Sequence, residues 1–222
     1  MSIFLSALCL LAVLVPEPAF AEADDFSVLQ SRASSGDITA QLDLGSQFAN
    51  GTGVEQNFAE AKKWWEKAAA QGNAQAQYNL GYMYEKGAGV PLDLKKSRFW
   101  WDKAAAQGHL PAIFNLGMLY IRGEGGIQGN YEEAVRYFQL GALQNHPQSQ
   151  FNLGVMYDKG MGIAQDRVVG YAWIKLAALQ NHPQAKDYET ELRQQLTSQQ
   201  QTAADEEIRH IKAELSAASA GI

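Results

Sequence analysis

Apolar positions along the chain follow a helical rhythm that restarts at a fixed interval. In 74–108, Leu80, Gly81 and Tyr84 share one stripe, then a Gly87-Ala88-Gly89-Val90 loop intervenes. A second stripe through Trp100 and Ala104 follows and stops at Gly108. The arrangement occurs four times. Gly45, Gly81, Gly117 and Gly154 are spaced by 36, 36 and 37 residues, and Asn57, Asp93, Asn130 and Asp166 by 36, 37 and 36. A fixed period of this size marks stacked helix–loop–helix units sharing one continuous core. The prediction is an all-α chain with four repeats at 38–73, 74–109, 110–146 and 147–182, together 38–182. Capping helices at 22–37 and 183–222 would close its ends.

Start and stop signals recur in register. The Asn/Asp column supplies side-chain oxygens for the free N–H groups that open each second helix. Gly72, Gly108, Asn145 and Asn181 tolerate the left-handed backbone that closes it. The loops Gly51–Val54, Gly87–Val90, Gly123–Ile127 and Gly160–Ile163 end each first helix. A phosphate cradle would need a strand before such a loop and a helix after it, and here a helix precedes. The column Trp64, Trp100, Tyr137 and Trp173 faces Ala68, Ala104, Gly141 and Ala177 four residues on, the large-beside-small pattern of interdigitating helices. We assign it to the core. After Pro183 the Leu-Gly positions read Glu189-Thr190, which predicts a polar outer face on a terminal unit. A last helix, rich in Glu and Gln, is expected from Gln199 to about Ala213.

Residues 3–15 (IFLSALCLLAVLV) form an uncharged apolar run shorter than the roughly 20 residues a membrane span requires. Pro16 and Pro18 break it, and Ala19-Phe20-Ala21 has the small-x-small pattern of a cleavage site. Residues 1–21 therefore read as a Sec signal peptide cleaved after Ala21, giving a periplasmic or secreted protein without membrane insertion. An uncleaved segment would instead act as an anchor. Cys9, the one cysteine, lies in this run, so the mature chain would carry no thiol. Net charge is −6 without a basic cluster, which argues against a nucleic-acid partner.

The pattern A-x-A-Q-Y-N-L-G-x-M-Y-x-x-G-x-G-V, followed by W-W-x-K-A-A-A-Q-G, resembles the Sel-one-like repeat (SLR) family, a branch of the tetratricopeptide-like helical repeats. The resemblance covers 38–182. It implies a right-handed α/α superhelical solenoid with a concave groove used for protein or peptide recognition. It also implies a role in cell-envelope assembly, secretion or signalling, with an envelope protein as the expected partner of a monomeric chain. Cysteine-rich relatives that bind or slowly hydrolyse β-lactams suggest the alternative, a binder or weak hydrolase of β-lactam or peptidoglycan fragments. This chain lacks their cysteine pairs.

If the repeats coil as the resemblance implies, the inner face of the first helices lines the groove. Its floor would be Leu42, Tyr78, Phe114 and Phe151, beside Ser46, Tyr82, Met118 and Val155, with Asn79, Asn115 and Asn152 between. Glu85, Lys86, Arg122, Asp158 and Lys159 would form the rim. An apolar floor with amides inside a charged rim suits a peptide. The Tyr/Phe column could equally lie buried between helices. The Asn column favours the groove, because unpaired buried amides are costly.

His109, His146 and His182 share one repeat position. Equivalent atoms of adjacent repeats lie about 9–10 Å apart, against metal–nitrogen bonds of about 2 Å, so the histidines read as capping and loop residues. Glu206-Glu207 are adjacent on a helix and do not converge. Glu132-Glu133 suit a helix N-terminus. No metal, cofactor or catalytic residue is expected, and the chain reads as a non-enzyme.

Overall fold

The computed structural model describes residues 26–220. The signal segment 1–21, its cleavage after Ala21, and Cys9 lie outside the described residues, as do residues 22–25 of the first cap. Among the described residues there are eleven helices and no strand. The first, α1 (Phe26–Ser34), caps the stack. Four pairs follow: α2 (Ile38–Asn50) with α3 (Phe58–Ala70), α4 (Ala74–Lys86) with α5 (Leu94–Ala105), α6 (Leu110–Arg122) with α7 (Tyr131–Leu143), and α8 (Pro147–Lys159) with α9 (Arg167–Leu179). Then come α10 (Ala185–Gln195) and α11 (Ser198–Ala220). From α1 to α10 each helix packs against its chain neighbours, α11 packs against α9, and the result is an all-α superhelical solenoid.

The punctuation works as the sequence predicts. Asn57, Asp93, Asn130 and Asp166 each cap a second helix by accepting from backbone N–H groups of its first turn. Gly51, Gly87, Gly123 and Gly160 end the first helices at φ between 61° and 69°, a conformation other residues enter only with strain. Asn145 and Asn181 adopt the same left-handed state at φ 60° and 61°.

The glycine column lets paired helices cross closely. A Cβ on Gly45 would lie 2.5 Å from Trp65 Cδ1, and one on Gly117 2.7 Å from Phe138 Cε1. Across α8 and α9 the contact is backbone to backbone, with a Gly154 Cβ 2.7 Å from the Gly170 carbonyl. The residues seated on these glycines are therefore Trp65, Trp101, Phe138 and Ile174, of which the last three are fully buried. The preceding column faces the previous repeat. Trp64, Tyr137 and Trp173 are buried there, but Trp100 is only half-buried, which corrects its assignment to the core.

Buried glutamines tie consecutive helices together. Gln41 donates to the Ala33 carbonyl at 3.0 Å and accepts from Gln71 at 2.8 Å. Gln77 with Gln107, and Gln150 with Gln180, repeat the 2.8 Å bond. Each amide is satisfied from two sides, as a buried polar group requires. Ile113 occupies this position in the third repeat.

The C-terminal cap departs from expectation. Glu189 is buried, at 8% exposure, rather than on a polar outer face. It accepts from the Tyr171 hydroxyl at 2.5 Å and from Lys175 at 3.2 Å, while Arg193 donates to Tyr171 at 2.9 Å. Burial, and next the bond to Glu189, pushes the Tyr171 phenol up to about 12, so it stays a donor. The cluster holds α10 on α9. Ala204, Ile208, Ile211 and Leu215 dock α11 against α9 and its neighbours, and α11 runs seven residues beyond its expected end at Ala213.

Candidate functional site

The face expected to line the groove runs along one register of the first helices α2, α4, α6 and α8. Leu42, Tyr78, Phe114 and Phe151 are all half-buried, with one side in the inter-helix core. Each of these side chains thus turns one side to the core and leaves the other partly open to solvent. Each aromatic meets the histidine that closes its own repeat. Tyr78 lies 4.8 Å from His109, Phe114 5.6 Å from His146, and Phe151 4.5 Å from His182, centroid to centroid.

Two of the histidines stand at helix N-caps, as expected, and one of these makes a side-chain cap bond. His109 Nδ1 accepts from Ala112 N–H at 3.3 Å and caps α6, while its Nε2 faces Gln75 Oε1 at 3.2 Å. His146 Nδ1 is 2.8 Å from Ser149 Oγ, and His182 Nδ1 is buried without a hydrogen bond. Burial lowers the pKa of all three, with His182 adding repulsion at His146. The sequence carried a signal for this wall. Where the floor residue is Leu42 the partner position is Asn73, and where it is aromatic the partner is histidine. Among the described residues no group of three or more His, Asp, Glu or Cys could hold a metal ion.

Beside the rings, Tyr82 is 47% exposed, while Ser46, Met118 and Val155 are half-buried. Ser46 Oγ donates to the Leu42 carbonyl at 2.9 Å. The amides are half-buried, and two are engaged: Asn79 accepts from Gln75 at 2.8 Å, and Asn152 donates to the Gln148 carbonyl at 2.8 Å. Burial, the larger effect, raises the Tyr78 phenol, and the Asn115 side chain acts the other way.

The charged edge holds one correction. Glu85 pairs with Lys86 at 3.1 Å and with Arg122 of the next repeat at 3.0 Å. Asp158, expected on the rim, is instead 1% exposed. It accepts from the Tyr188 hydroxyl at 2.7 Å and pairs with Lys159 at 2.7 Å, with Arg167 3.5 Å away. The physical reason is α10, whose Tyr188 lies over both Asp158 and the Phe151 ring. Phe151 and Val155 also pack with the α9–α10 core. The helix therefore closes the face at the fourth repeat and leaves its more open stretch on the first three.

The family model described as Sel1 repeat matches residues 38–73, 74–109, 110–146 and 147–182. The chain is similar to the crystal structure of a Sel1 repeat protein from Oxalobacter formigenes, with 32% identity and a TM-score of 0.70 over 74% of this chain and 68% of that one. A protective antigen of uropathogenic Escherichia coli strains displaying an SLR fold is 20% identical, over 85% of this chain and 56% of that one, with a TM-score of 0.43. An immunity protein from Pseudomonas aeruginosa is 18% identical over 89% and 79%, with a TM-score of 0.46. No curated protein matches the chain. Among the described residues no helix is long and apolar enough to cross a membrane.

Proposed function

Because the chain belongs to the Sel1 repeat family through four repeats spanning 38–182, whose members are generally protein–protein interaction scaffolds, we propose that it is an adaptor holding an extended protein or peptide segment along the inner face of its first helices. The observation that carries this reading is Tyr82, a large ring left 47% exposed beside half-buried Met118 and the amides of Asn79 and Asn115. An aromatic anchor on a preformed wall, flanked by amides that can pair a peptide backbone, is the chemistry of a hot spot. The Tyr/Phe–His pairs hold that wall in place. The partner is a cell-envelope protein, reached after export by the segment 1–21, and the adaptor works as a monomer without cofactor or metal. The repeats act as four units between an N-terminal and a C-terminal cap.

The test is partner capture by the wild type and by Tyr82→Ala/Asn115→Ala, with melting of both followed by circular dichroism. The reading expects near-native melting with capture weakened at least thirtyfold, the scale of one anchor residue of about 2 kcal/mol. Unchanged capture by a folded variant would place binding on another face. Early melting would make the two residues structural.

A further inference from the structure

Each of the last three first helices ends in a cation at one register position, Lys86, Arg122 and Lys159, where the first repeat has Asn50. Their side chains are 52%, 34% and 53% exposed. The carboxylates beside them are sunk, Glu85 at 12% and Asp158 at 1%. What solvent meets along this edge is therefore the cationic ends, with Glu124 3.7 Å from Arg122 as the exposed acid nearby. The row belongs to the inner face, because Lys86 Nζ lies 5.5 Å from the Tyr82 ring and Lys159 Nζ 5.6 Å from the Tyr188 ring. The opposite edge presents Gln75, Pro111 and Gln148, all exposed and uncharged.

We propose that the segment held by the inner face is acidic and extended, with carboxylates facing Lys86, Arg122 and Lys159. This rests on the groove reading above and adds the partner's chemistry and register. Adjacent repeats are about 9–10 Å apart, and a segment in the extended polyproline-II form advances about 3.1 Å per residue and turns every third side chain to the same face. Carboxylates three residues apart therefore fall in step with the row. The segment stops at the fourth repeat. There α10 covers the floor and carries exposed Asp187 and Glu191 at the register of Phe151 and Val155, where a further carboxylate would meet like charge. With the whole chain at −6, the attraction comes from this row and not from overall charge.

The test is selection of a random nine-residue display library on the full chain, followed by affinities of synthetic winners. The expected winners carry Asp or Glu at three-residue spacing and weaken as salt is raised. Affinity should fall about tenfold on Lys86→Gln/Arg122→Gln/Lys159→Gln, in line with three partly exposed ion pairs. Lys86→Gln/Lys159→Gln leaves Glu85 its Arg122 and Asp158 its Arg167, and should lose several-fold if the triple variant does not fold. Winners without acidic enrichment that still require Tyr82 would overturn the acidic partner while leaving the groove standing. Winners indifferent to both Tyr82→Ala and the cation variants, or no winners at all, would overturn both.

Discussion

Gly154→Ala puts the close crossing of α8 and α9 to a quantitative test. The added methyl would sit 2.7 Å from the Gly170 carbonyl oxygen, 3.0 Å from Ile174 N and 2.6 Å from Ile174 Cγ1. Non-bonded heavy atoms prefer about 3.5 Å or more, so the gap must open by about 0.8 Å. Two of the three neighbours are backbone, and no rotamer change moves them. The helices must part along their length, loosening Leu153 and Met156 against Ala172 and Trp173 and straining the seat of α10. Overpacking of this kind costs about 1–3 kcal/mol, and a backbone clash belongs at the upper end. Replacing glycine in a helix returns about 1 kcal/mol of propensity. The net loss should be about 2 kcal/mol, or about 4–8 °C in melting temperature for a chain of this size. Urea and thermal unfolding followed by circular dichroism measure it. Gly117→Ala, which meets only the Phe138 ring, should lose less. A Gly154→Ala protein as stable as wild type, or more so, would refute the close crossing.

Three further outcomes follow from the same packing. Trp101→Ala should cost about 3–5 kcal/mol, the range for a buried aromatic, and half-buried Trp100→Ala less than half of that; equal losses in urea unfolding would contradict the column assignment. Because burial lowers the folded-state pKa of His109, His146 and His182, their stabilisation is fully present above about pH 6.5 and falls as pH drops through that value toward the lowered ones. The melting temperature should therefore be lower at about pH 5 than at about pH 7.5, with a smaller difference in His146→Gln/His182→Gln; Asp37 and Asp93, lowered chiefly by their backbone N–H caps, keep their stabilisation at both and lose it only below about pH 4. Glu189→Leu restores the repeat's usual residue but takes the acceptor from the Tyr171 hydroxyl and the partner from Lys175, so α10 should become more protease-sensitive, and undiminished protection would show that the polar cluster does not hold it.

Repeat boundaries, caps and loops were legible because they depend on local backbone chemistry. An Asx oxygen at a helix start or a glycine at its end acts the same way in each copy. Which of two adjacent aromatics is buried was not legible, since Trp100 and Trp101 differ by only about 100° around the helix and the crossing with α4 decides. Glu189 and Asp158 were misplaced for a shared reason. A charged letter reads as a surface residue until a helix distant in sequence supplies its partners, and here α10 supplies or receives both. Of the proposed site, the floor and amide columns came from the period together with the coiling that the resemblance implies. The histidine wall required noticing that the Tyr/Phe and His columns change together. The cationic row is visible as a column, but only burial of Glu85 and Asp158 shows that its positive ends face outward.

The central claim is that the inner face of the first helices holds the partner. The most direct measurement is site-specific photo-crosslinking in the cell of origin, with the crosslinker at position 82 on the inner face or at position 99, where Phe99 is 52% exposed on α5. The account predicts one discrete protein adduct from position 82, absent from position 99 and lost when Asn115→Ala and Arg122→Gln are added. An adduct from position 99 alone, or an adduct at 82 that survives both substitutions, would contradict it.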